Sequence, residues 1–213
     1  MFTTVIDFFQ KGGPFMYPIL LVLAIGVAIA IERWLYLSVS RRNNRRMLAR
    51  LMPILQKGDF QRAYTEASKS KTAVSHMLNQ GLARMKSATS RDEVEMAMEE
   101  SMMETIPRLE KRTHYLAMFA NIATLLGLLG TIIGLIKAFT AVSQVDPSMK
   151  AEILSTSISV AMNTTAFGLI VAIPLIFIYT VLQTKTTEIV DSLEMATVKF
   201  ANLIMQRKNI SGQ

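Results

Sequence analysis

The sequence predicts an all-α integral membrane protein with three transmembrane helices, two of them extended into a cytoplasmic helical bundle. Three observations carry that prediction. Hydrophobic residues make up 51% of the 213-residue chain, and the mean hydropathy is positive, which sets it apart from ordinary soluble domains. Residues 115–136 and 160–182 are charge-free apolar runs, each a little over the roughly 20 residues that cross a bilayer. The basic residues are also unevenly placed. Residues 38–114 hold 15 Lys/Arg, against one in the first 15 residues and one, Lys150, between the second and third spans. Basic loops stay on the cytoplasmic side, so the net charge of +7 speaks for topology and against nucleic acid as a partner.

Taken in order, residues 1–14 are a short amphipathic segment on the periplasmic side, with Val5, Phe8 and Phe9 apolar and Gly12-Gly13-Pro14 breaking it. The start has no basic n-region and its apolar run is long, so no cleavable signal peptide is expected. Residues 15–37 are transmembrane helix 1, closed by Glu32-Arg33-Trp34-Leu-Tyr36, a charged pair with belt aromatics where a helix meets headgroups. Arg41-Arg42-Asn-Asn-Arg45-Arg46 follows directly and reads as a topology determinant. Residues 38–114 form a cytoplasmic helical region. There Met47 to Lys57 reads as a helix ending at Gly58, Asp59 caps the next helix, and Ser90-Arg-Asp-Glu93 is a capping box. One helix is expected from about Arg91 through the second span, bent but not ended by Pro107. Residues 115–139 are transmembrane helix 2, 140–154 a short periplasmic loop, 155–183 transmembrane helix 3, and 184–213 a cytoplasmic helical tail.

The second and third spans carry narrow faces. Gly127, Thr131 and Gly134 fall at i, i+4 and i+7, with Gly130 between them. Ala161, Thr165, Gly168 and Ala172 fall at i, i+4, i+7 and i+11, and Asn163, Thr164 and Pro174 add polar groups and a helix-breaking residue. Such faces commonly serve only close helix packing. Two matching stripes, each with one threonine at its middle, also suit a hydroxyl-lined ion path.

Several classes of chemistry lack support. His76 and His114 stand alone, so no metal site or cofactor is expected. The methionines at 96, 98, 102 and 103 have helical spacing and read as bundle packing. Zero cysteines leave no disulfide or thiolate site. The chain has no Walker, Gly-x-Ser-x-Gly or His-Glu-x-x-His motif, and no enzyme is expected. Neither of the two striped runs contains Asp, Glu or His. Hydroxyls relay a proton but store no charge, so any intramembrane carboxylate has to come from another chain.

Gly12-Gly-Pro-Phe-Met-Tyr-Pro-Ile-Leu20, Glu32-Arg33, Gly127-Leu-Leu-Gly-Thr-Ile-Ile-Gly134 and Thr165-Ala-Phe-Gly-Leu-Ile-Val-Ala-Ile-Pro174 together resemble the MotA/TolQ/ExbB proton-channel family, most closely its three-span ExbB/TolQ branch. The resemblance covers nearly the whole chain. It implies a homo-oligomer of five copies in the bacterial inner membrane, enclosing an ExbD/TolR-like single-span partner that carries an intramembrane Asp. A TonB/TolA-like transducer would be energised by ion flow. The family's pore threonines fall on Thr131 and Thr165. Val160 stands where many relatives have a glutamate, so a relay role for that glutamate does not carry over.

The expected function is therefore a proton-conducting subunit of a motor driven by the proton-motive force. Thr131 and Thr165, with Thr164 and Asn163, supply the ion pathway. Gly127, Gly130, Gly134, Ala161, Gly168, Ala172 and Pro174 pack the helices or line the pore, and Glu32, Arg33 and Trp34 stand at the membrane interface. A sodium-driven motility subunit, a non-conducting scaffold and a small-solute carrier are the rival readings. The carrier fits least, for want of internal repeats.

Overall fold

The computed structural model describes residues 12–85, 87–88 and 90–211, with side chains as far as Leu203. The expected amphipathic segment at the N-terminus lies outside them, apart from its final glycines and proline. Six helices follow in order: α1 (Met16–Gln56), α2 (Phe60–Ser68), α3 (Ala73–Met85), α4 (Arg91–Glu110), α5 (Thr113–Val142) and α6 (Lys150–Ser211). The described residues contain no strand. The all-α class is as the composition, the long apolar runs and the helix caps predict.

Stretches long and apolar enough to cross a membrane lie within Met16–Gln56, Arg91–Val142 and Lys150–Leu203. Less than a third of each apolar window is buried inside the protomer. Leu21, Ile31, Leu125, Ile136, Ile173 and Phe177 all stand outward. That much exposed hydrocarbon is unfavourable in water and is at home in lipid or against other membrane helices.

The chain divides into two compact units. One holds the chain up to Glu32 together with Arg112–Val181, and the other holds Arg33–Lys111 and the chain from Leu182. In the first, Met16, Ile19 and Val22 of α1, Leu116, Ala120 and Ala123 of α5, and Ala161, Val171 and Leu175 of α6 are buried. Alanine and glycine dominate where α5 meets α6, so backbones rather than long side chains set that contact.

In the second unit, α3 and α4 form a helical hairpin in which Gly81 faces the Met98 side chain. Leu37, Leu51, Met77, Leu78, Leu193 and Phe200 are fully buried around it. Of the four methionines assigned to packing, Met98 and Met102 are buried, whereas Met96 and Met103 stand outward. The Thr197 hydroxyl lies 2.9 Å from Met77 Sδ and 3.3 Å from Met102 Sδ, tying α6 to the hairpin.

Local signals placed the smaller helices well. Gly58 has φ 82°, the left-handed conformation that glycine adopts most easily. Asp59 accepts from the Arg62 N–H at 3.0 Å, and Ser90 accepts from the Glu93 N–H. On α2, Lys69 hydrogen-bonds Glu66 at 2.8 Å; that bond and its charge hold the carboxyl below its ordinary range.

Two features depart from the sequence reading. The first apolar span does not stop before a separate helix at 47–57, because α1 continues unbroken through the arginine run with Pro53 inside it. The single helix expected from Arg91 is interrupted at Lys111–Arg112, where Arg112 takes φ 65°. Pro107 sits inside α4 and does not cause the break.

Candidate ion pathway

The two striped faces meet inside the first unit. Gly127 of α5 lies so close to α6 that a Cβ there would sit 3.2 Å from the Thr165 Cα and 3.4 Å from the Gly168 Cα. Gly168 is tighter: its Cβ would lie 2.7 Å from the Ala123 carbonyl oxygen, a distance real side chains do not adopt. Further along, Gly134 abuts Ala161, and Gly130 abuts the Thr164 side chain. Five of the predicted small positions are thus drawn into one helix–helix contact. Ala172 is buried farther along α6, and Pro174 is exposed, with the helix continuing through it.

The threonines have distinct surroundings. The Thr165 hydroxyl donates to the Gly127 carbonyl at 2.8 Å, across 38 residues of sequence. Thr164 is buried and donates to the Gly12 carbonyl and to its own helix at Val160, which joins the glycine turn before α1 to α6. Gly13, with φ 73°, lies against Val160. Thr131 is half-buried beside the glycine face, its hydroxyl donating back to Leu128 at 2.6 Å. Asn163, adjacent to Thr164 on α6, is half-buried. Thr165 therefore bridges α5 and α6, whereas Thr131, a turn from Gly127 and Gly134 on α5, bonds within its own helix.

The residues predicted for the membrane interface do three different things. Glu32 pairs with Arg112 at 3.3 Å. Arg33 is 2% exposed; its guanidinium donates to the Leu109 and Arg108 carbonyls and lies 4.7 Å over the Tyr36 ring. Those carbonyls are freed where α4 ends, so Arg33 closes a helix terminus. Trp34 is half-exposed and carries the Lys185 ammonium over its ring at 3.1 Å.

Sequence reasoning missed two long-range caps. Arg33 is one. Asn44, buried, is the other: it accepts from the Val74 N–H and so caps α3 from α1. Asn44 stands between arginines in a run that reads as a topology determinant, and no local signal separates it from Asn43.

Comparison with known proteins agrees with this architecture. Residues 69–195 match the model of the MotA/TolQ/ExbB proton channel family, a stretch that includes both striped faces. The chain belongs to that family. Among its relatives is a biopolymer transport protein ExbB homolog of Methanothermobacter thermautotrophicus, 30% identical over 91% of this chain and 68% of its own. An ExbB-like biopolymer transport protein of Synechocystis is 27% identical over 87% of this chain and 73% of its own. The Tol-Pal system protein TolQ of Haemophilus influenzae is 33% identical over a shorter part, 44% of this chain and 40% of its own. This family member falls with the ExbB/TolQ branch.

Proposed function

We propose that the chain is the proton-conducting subunit of an inner-membrane motor that energises a TonB- or TolA-like transducer, in a homo-oligomeric ring around an ExbD/TolR-like partner. The observation that carries this reading is the seam between α5 and α6, where Thr131 and Thr165 flank backbones held together by Gly127 and Gly168. A seam of hydroxyls in two spans without Asp, Glu or His suits a relay that ends on a carboxylate from another chain. One proton crossing 100 mV releases roughly 2.3 kcal/mol, enough to bias small helix movements. The N-terminus stands on the periplasmic side and the C-terminus in the cytoplasm, following the distribution of Lys and Arg.

The placement of Thr164 favours protons over sodium. A sodium site needs several oxygen ligands around a partly dehydrated ion. Thr164 is buried and engaged with the Gly12 carbonyl, so it is withdrawn from any such shell. The test is flux into proteoliposomes holding the chain together with a single-span partner bearing an intramembrane Asp. Acidification is expected to persist when K⁺ replaces Na⁺, to vanish with partner Asp→Asn, and to fall at least tenfold in Thr165→Val. Flux that follows the sodium gradient alone would favour the sodium-driven alternative. No flux with the partner present would favour a packing scaffold, the reading that the Thr165–Gly127 bond by itself also supports.

A further inference from the structure

The arginine run does more than mark topology, because α1 carries it as one continuous helix. Ser38, Arg41, Arg42, Arg45, Arg46 and Ala49 recur at i, i+3, i+4, i+7, i+8 and i+11, a single helical stripe. With Lys185 of α6 they line a cleft of about 550 Å³ in the second unit. The stripe is only partly neutralised. Arg41 pairs with Glu188 at 2.9 Å, while Arg42, Arg45 and Arg46 have no carboxylate partner among the described residues. Lys185 is held in place by the Trp34 ring and lies 3.5 Å from the Ser38 hydroxyl. Five cations and a hydroxyl thus converge with one carboxylate among them.

The cleft's depth selects its occupant. Trp34 is a belt aromatic, and the Lys185 ammonium on its ring puts that end of the cleft at headgroup level. Headgroups occupy roughly the first 5–8 Å outside the hydrocarbon of each leaflet. The Ser38 hydroxyl stands beside Lys185 at that level, and the arginines begin about 11 Å or more beyond Trp34 along α1, with helix side chains that lean toward the N-terminus and so reach back toward the headgroups. Guanidinium forks match phosphate oxygens in pairs, and basic pockets next to transmembrane helices suit anionic headgroups. We propose that this cleft binds the phosphate-bearing headgroup of an anionic phospholipid, with Arg42, Arg45, Arg46 and Lys185 as the binding groups. A seated headgroup sets the depth of α1 in the membrane and holds it against axial slippage.

The full chain, purified in mild detergent and stripped of lipid, is titrated with dioleoyl phosphatidylglycerol or dioleoyl phosphatidylcholine and read by native mass spectrometry. Phosphatidylglycerol is expected to be retained at least tenfold more strongly than phosphatidylcholine. Lys185→Gln lies outside the arginine run and leaves topology undisturbed. It is expected to weaken that retention about fivefold, the usual effect of one cation near an anionic surface. Arg42→Gln/Arg45→Gln is expected to weaken it by more than twentyfold, whereas the double Arg→Lys variant keeps most of it. An unchanged far-UV spectrum controls for folding. Equal retention of the two lipids, or unchanged retention in both Gln variants, overturns the proposal. Millimolar inorganic phosphate that displaces phosphatidylglycerol completely makes the cleft a site for free phosphate and overturns the lipid assignment.

Discussion

Two threonines separate structure from function at the level of single residues. The Thr165 hydroxyl crosses to the Gly127 carbonyl, and a hydrogen bond between membrane helices averages about 0.6 kcal/mol. Thr113 is more deeply buried than Thr165, yet its hydroxyl has no partner among the described residues. Replacing an unsatisfied hydroxyl by a methyl group of like shape is near neutral or stabilising. Thr165→Val is therefore expected to lower stability by about 0.6 kcal/mol in reversible detergent unfolding, and Thr113→Val to leave it unchanged or raise it by up to about 1 kcal/mol. Function should divide differently. Thr131→Val and Thr165→Val keep the approximate shape of the seam and are expected to assemble normally while losing ion-driven activity. If both variants support the native process at wild-type rates, the threonine path is wrong. The faces themselves were legible, because glycine, alanine and threonine at helical spacing can be counted. The partner of Thr165 was not, since nothing local in the sequence says which carbonyl 38 residues away will face it.

Glycine plays two roles between elements, and the roles differ in what a methyl group would meet. At Gly168 it would meet the Ala123 carbonyl, which belongs to the α5 backbone and cannot yield. At Gly26 it would meet only the methyl ends of Leu175, a side chain with other rotamers. Gly168→Ala should therefore part α5 from α6 and cost about 1–3 kcal/mol, the usual range for overpacking. Gly26→Ala should cost less than half of that, and thermal unfolding in detergent measures both. The interruption between α4 and α5 has a different origin. Neither glycine nor proline stands at Lys111–Arg112, and the stop comes from Arg33, 76 residues from Leu109, whose guanidinium satisfies the freed carbonyls. Arg33→Met fills the same space without donors, leaves those carbonyls buried and unpaired, and is expected to cost about 1.5–3 kcal/mol. Caps made by neighbours in sequence, at Asp59 and Ser90, were legible. Caps made by tertiary neighbours, at Arg33 and Asn44, were not.

At the scale of the whole molecule, the apolar surface left uncovered by the protomer is the leading fact. Less than a third of each membrane-spanning window is buried within one chain. Lipid can cover that surface, but a seam of hydroxyls pointing into lipid would serve nothing. Native mass spectrometry from mild detergent is expected to show a multimer of five copies, and the purified ring without partner should conduct little. A stable monomer that retains activity would remove the ring from this account. The three spans and the family were legible, because apolar length and the glycine-threonine motifs both survive in a single sequence. The stoichiometry is not a property of one chain's pattern and comes only with the resemblance.

The close approach at Gly127 and Gly168 also bears on where such a ring can yield. Two backbones in contact, with no side chain between them, have no compressible layer. Pushed by a passing charge, α5 and α6 must shift together, as a single stave of a barrel does. In the proposed ring the compliance would lie at the joints between staves, and Leu128, Ile132 and Ile136, exposed on α5, are the flexible side chains available to those joints. Each subunit would then move as a unit, its own two helices staying closed on each other.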